Sequence, residues 1–127
     1  MKTLFFSFVL LLFSAATFAQ TTFKPDDIFG DWRFENQYDI RIEDHTAVLH
    51  NIHSKNVPQK LRRAIFYHSI NHKEGNIWTA NKMQWRYTNG DINDGRWIDD
   101  GETTFTMSED KMTFNNGTRV FKRMPDN

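Results

Sequence analysis

From Phe29 onward, apolar and polar residues alternate in short runs, and turn-forming pairs cut the runs apart. Tyr38, Ile40 and Ile42 alternate with Asp39, Arg41 and Glu43, the pattern of a strand with one face buried. Residues 46–53 place Val48, His50 and Ile52 on one face and Ala47, Leu49 and Asn51 on the other, and residues 64–70 are apolar on both. Met83, Trp85 and Tyr87 alternate with Lys82, Gln84 and Arg86. Thr103, Phe105 and Met107 alternate with Thr104 and Thr106. Met112 and Phe114 make a shorter run, and residues 119–124 read as a last strand. No stretch holds a helical period for three turns. The best helical candidate, residues 57–63, is long enough for one turn within a connection.

Four of the six glycines follow Asn or Asp, in Asn89-Gly90, Asp94-Gly95, Asp100-Gly101 and Asn116-Gly117. Such pairs supply the positive φ angles of tight hairpin turns. Glu74-Gly75 and Asp44-His45 mark two further turns. The sum is an antiparallel meander of eight or nine strands. A meander of that size has exposed edges unless it closes or stacks. The chain is therefore expected to be all-β, an antiparallel up-and-down barrel, with a two-sheet β-sandwich as the alternative.

The first residues do not belong to this pattern. Lys2 precedes an apolar run over residues 4–13, and a small-residue stretch, Ser14-Ala15-Ala16-Thr17-Phe18-Ala19, follows. That order of charge, short apolar core and small residues is a cleavable signal peptide. The run is shorter than the roughly 20 residues a membrane-spanning helix needs. Residues 1–19 are thus read as a signal peptide and residues 20–127 as a single domain, exported to the periplasm or the cell exterior, with no membrane span in the mature chain. The chain has no cysteine, which removes lipoprotein anchoring, disulfide staples and thiolate chemistry from consideration. Its formal charge is zero. Losing Lys2 with the leader leaves no basic excess that would point to nucleic acid. Seven Phe, four Trp and three Tyr follow the leader, enough ring volume to build a core without covalent help.

Gly30-Asp31-Trp32 opens the first strand, and Thr118-Arg119-Val120-Phe121-Lys122-Arg123 forms the last. A Gly-x-Trp on the first strand with a late basic residue resembles the lipocalin and wider calycin pattern, and the closer likeness is to short exported lipocalin-like domains of bacteria. The resemblance implies that Trp32 plugs one end of a barrel with Arg119 or Arg123 laid over its ring, a cation on an aromatic face. It also implies binding of a small apolar molecule. The chain is shorter than a typical lipocalin and lacks the family's middle motif and late helix.

Candidate chemistry is sparse. Trp78, Trp85, Tyr87 and Trp97 fall within twenty residues of one another, and Trp85 and Tyr87 share a strand face with Met83. These five residues are the candidate ligand-binding set if their face lines a cavity. They fill the core if it does not, since the interior of an eight-stranded barrel can be packed solid by side chains. His50, His68 and His72 would need a particular register to meet, and no metal-ligand spacing such as His-Glu-x-x-His occurs. No metal or cofactor is expected. The acids of residues 91–102 do not fit a calcium loop. No serine sits in a nucleophile elbow, and no catalytic constellation stands out. The functional expectation is a small-ligand-binding barrel for an apolar or aromatic molecule. The alternative is an interaction or inhibitor module of the cell envelope, a filled barrel whose docking surface is the basic connection at residues 54–63.

Overall fold

The computed structural model describes residues 21–87 and 89–125; the expected signal peptide lies outside them. Eight strands run in order: β1 (Gly30–Phe34), β2 (Tyr38–Glu43), β3 (Thr46–Ile52), β4 (Ile65–Glu74), β5 (Ile77–Tyr87), β6 (Gly95–Met107), β7 (Thr113–Asn116) and β8 (Arg119–Arg123). Each pairs antiparallel with the next, and β8 returns to β1, pairing Trp32 with Arg123 and Phe34 with Phe121. The result is a closed up-and-down barrel, not a sandwich. Two 3-10 turns, Pro25–Ile28 and Gln59–Leu61, are the only helical pieces among the described residues. The second stands where the sequence offers one helical turn.

The count is eight because one expected turn is not a turn. Asp100-Gly101 lies inside β6, where Gly101 has a φ of +87°. The ladder steps from Asn81–Glu102 to Met83–Asp99, so two residues of β6 face one of β5. This is a β-bulge, a second use of the positive φ that glycine permits. It keeps β5 and β6 as one long, strongly twisted hairpin.

The middle of the barrel is solid. Phe114 stacks on Phe121 at 4.7 Å, Phe105 lies 4.8 Å from Phe114, and Tyr67 meets Phe105 edge-on at 4.9 Å. Ile40, Leu49, Ile70 and Met107 fill the spaces between and are essentially inaccessible to solvent. Tyr67 donates its hydroxyl proton to Asn116 Oδ1, and Asn116 Nδ2 donates to Thr103 Oγ1 and the Thr104 carbonyl. Among the described residues no buried side-chain polar atom lacks a partner. That removes the desolvation penalty a barrel interior would otherwise impose on Asn116.

One end is sealed. Trp32 is fully buried, its indole N–H donates to the Ile28 carbonyl at 2.9 Å, and the Arg123 guanidinium lies 4.2 Å above its ring. Arg123 also donates to the carbonyls of Lys111, Phe29 and Asp27. The 3-10 turn Pro25–Ile28 closes over this end, with Trp78 donating to the Pro25 carbonyl. Of the two arginines considered for the place over Trp32, Arg123 occupies it; Arg119, four residues earlier on β8, lies toward the other end over Phe34.

The outer face of β1–β3 carries two ion pairs between directly opposed residues. Arg33 faces Asp39 and Asp31 faces Arg41 in the β1–β2 register. Arg33 holds Asp39 through two bonds of 2.7 and 3.2 Å, and His53 Nε2 lies 3.1 Å from the second oxygen. Arg41 holds Asp31 in the same manner and reaches His50 Nε2 at 3.0 Å. Opposite charges facing each other across a ladder favour this register over its neighbours.

Candidate functional site

The other end of the barrel is where β5 and β6 overshoot their neighbours. Trp85 and Trp97 are direct partners in the ladder, their rings 5.4 Å apart and nearly edge-to-face. Trp97 continues to Phe66 of β4 at 5.3 Å, and Phe66 to Tyr38 of β2 at 5.1 Å. These four rings form a wall. The connection between β3 and β4 faces it. Pro58 and Leu61 anchor that connection by burial, and Asn56 and Val57 turn toward the wall. Between wall and connection lies a cavity of about 270 Å³, floored by Tyr38 and bordered by Arg119, Lys82 and Gln84.

Two local devices hold the tryptophans. The Trp85 indole N–H donates to the Ile92 carbonyl at 2.8 Å, which folds the β5–β6 loop back on the ring. Gly95 lies beneath that ring. A methyl group at Gly95 would come within 2.8 and 2.9 Å of Trp85 ring atoms and 2.5 Å of the Arg86 carbonyl oxygen. Gly95→Ala is therefore expected to push the Trp85 indole off its seat and cost about 1–3 kcal/mol through overpacking. Near-ultraviolet circular dichroism and a urea titration read the two effects, and an unchanged aromatic spectrum would contradict the tight fit.

Of the five residues expected to line a ligand site, Met83, Trp85, Tyr87 and Trp97 border this cavity. Trp78 does not. It lies at the sealed end, 1% exposed, with His72 4.6 Å from its ring. Seven residues separate Trp78 from Trp85, a span of about 23 Å along a strand, so the two cannot serve one small cavity. The alternation Met83-Trp85-Tyr87 against Lys82-Gln84 also breaks down, for residues of both sets reach the cavity. The register shift between Asn81 and Met83 twists the hairpin there.

Tyr38, Phe66, Leu61 and Arg119 complete the cavity without having been candidates for it. The first three come from β2, β4 and the long connection, and only the register of the closed barrel unites them. Arg119 did leave a trace: it alternates with Phe121 and Arg123 on β8, so two inward cations four residues apart must serve opposite ends.

The histidines disperse. His45 meets the Ile70 carbonyl, His50 Arg41, His53 Asp39, His68 Asp99 and His72 the Gly75 carbonyl. Among the described residues no three His, Cys, Asp or Glu side chains are grouped to hold a metal ion. Burial pushes the Tyr38 and Tyr67 hydroxyls above the usual phenol value, although nearby Arg119 pulls the other way. Both stay neutral at any physiological pH. The chain matches no protein-family model, no curated protein and no solved structure.

Proposed function

We propose that this barrel is an exported, lipocalin-like binding module that holds a small flat apolar or aromatic molecule in the open-end cavity. The observation that carries the reading is the wall of Tyr38, Phe66, Trp97 and Trp85 above a solid core. A core needs rings packed from every side. Here four rings are packed from below and share one hollow face. Ligand sites have this character: mostly apolar walls with a few placed polar groups. At about 270 Å³ the cavity suits one or two ring systems with a short substituent, and not a long lipid chain.

The test is a titration with N-phenyl-1-naphthylamine, a neutral probe of two ring systems (a phenyl on a naphthyl) that brightens in apolar surroundings. Saturable binding is expected, with energy transfer from the tryptophans to the bound probe. Trp97→Ala should weaken binding by about tenfold, since an aromatic contact of this type contributes roughly 0.5–1.5 kcal/mol beyond its buried area. A flat titration of the intact protein would remove the reading and favour the alternative of a filled barrel that acts through its surface.

A further inference from the structure

The cavity has a sign. Its lining includes two cations, Lys82 and Arg119, and no carboxylate. Lys60 adds a third positive charge at the rim, its ammonium 5.2 Å from the Trp85 ring. Tyr38, Asn56 and Gln84 supply neutral polar groups.

Arg119 is the unusual member. Arg33 and Arg41 each hold a carboxylate, and Arg123 is met by three backbone carbonyls. Arg119 is half-buried, lies 5.5 Å over the Phe34 ring, donates to the Tyr38 hydroxyl at 3.4 Å and also reaches the Tyr67 hydroxyl. No carboxylate of the described residues lies within 4.0 Å of it. A guanidinium carries five N–H donors in a planar fork. Rings and phenols satisfy few of them, and a neutral phenol does not balance the charge. Withdrawing a cation from water without a counter-ion is costly. A fold that spends an inward position on β8 this way has left room for an anion.

Tyr38 strengthens the case. Its oxygen accepts from Arg119, which leaves its own proton to give. Tyr67 differs, because its proton already goes to Asn116. A ligand oxyanion beside Arg119 would thus meet guanidinium donors and one phenol donor together.

We infer that the occupant of the open-end cavity is an aromatic or apolar monoanion, its rings against Trp85, Trp97 and Phe66 and its carboxylate, or an oxyanion of similar shape, on Arg119 and Tyr38. This rests on the reading of the cavity as a ligand site and adds the charge class of the ligand. Charge-assisted, forked bonds to an oxyanion are the strongest polar contacts a protein surface offers, so the anion sets orientation while the rings supply area.

A matched pair of probes separates the two layers. N-phenyl-1-naphthylamine and 1-anilinonaphthalene-8-sulfonate share one ring skeleton and differ by the sulfonate. Arg119→Gln is expected to weaken the sulfonate at least about tenfold, the scale of a charge-assisted bond, and the neutral amine by less than about twofold. Arg119→Lys, which keeps the charge and loses the fork, should recover part of the sulfonate affinity, and Tyr38→Phe should weaken the sulfonate alone. Equal losses for both probes, or none for either, in Arg119→Gln would overturn the anionic assignment and leave the cavity standing. Should Arg119→Gln not fold, Tyr38→Phe decides by the same comparison. Failure of both probes to bind the intact protein would overturn the assignment together with the cavity reading beneath it.

Discussion

Replacing Trp32 with alanine is expected to remove roughly 3–5 kcal/mol of stability, the range for deleting a fully buried large aromatic ring. Domains of this size are stable by only about 5–15 kcal/mol in total, so the variant should stand at the edge of unfolding at room temperature. Three losses coincide. The ring leaves a void against Phe114, which it meets edge-on at 4.7 Å. The Ile28 carbonyl loses its donor. Arg123 loses the aromatic face beneath its guanidinium. Without a disulfide, nothing covalent compensates. Urea unfolding followed by far-ultraviolet circular dichroism measures the effect. Trp32→Phe should recover much of it, because the area returns and the N–H does not. A midpoint unchanged by the alanine would mean that the sealed end contributes little to the fold.

Acid should loosen the barrel through Asp39, the second large effect. This carboxylate is 4% exposed. Burial alone would raise its pKa, but the bonds from Arg33 and His53 outweigh burial and hold it below the usual value of 3.8. The folded state thus gives up this proton more readily than the unfolded chain. Its contribution is complete above the unfolded-state value and fades as the pH falls from there through the lower folded-state value. Asp39→Asn should cost about 1–3 kcal/mol near neutral pH. Breaking a buried pair costs more when both partners are shielded, and partial exposure of Arg33 lowers the figure. The variant should also lose stability less steeply than the parent below about pH 4. Parallel acid curves for parent and variant would assign the acid sensitivity elsewhere, with Asp27 on Lys111 the next group to examine.

The barrel was legible in the sequence because strand alternation and Asn-Gly or Asp-Gly turns are local signals. Tyr38, Ile40 and Ile42 are buried as their alternation assigns, and so are Phe105 and Met107, with Thr103 half-buried beside them. Asp100-Gly101 was misleading because a hairpin turn and a bulge make the same demand on glycine; only the partner strand tells them apart. The four tryptophans illustrate the same limit. Trp78 and Trp85 look like one cluster when counted along the chain, yet they serve opposite ends of β5. The cavity itself was legible on β5 and β6 and hidden elsewhere, since Tyr38 and Phe66 reach it only through pairings that no short window contains.

Closure of the sheet also has a kinetic consequence. The bond from Arg123 to the Phe29 carbonyl joins residues 94 positions apart, and the β1–β8 ladder has a similar separation. Contacts this distant carry a loop-closure cost that must be met before they return any stabilisation, so folding on a time of about milliseconds to seconds is expected. During that interval β1 and β8 each present an unpaired edge to other chains. Since β8 carries both inward arginines, the step that joins the two edges also sets one cation over Trp32 and brings the other to the cavity. A chain interrupted before Arg119 would therefore lack its seal and the cavity's inward arginine at once, and would expose two sticky edges in their place.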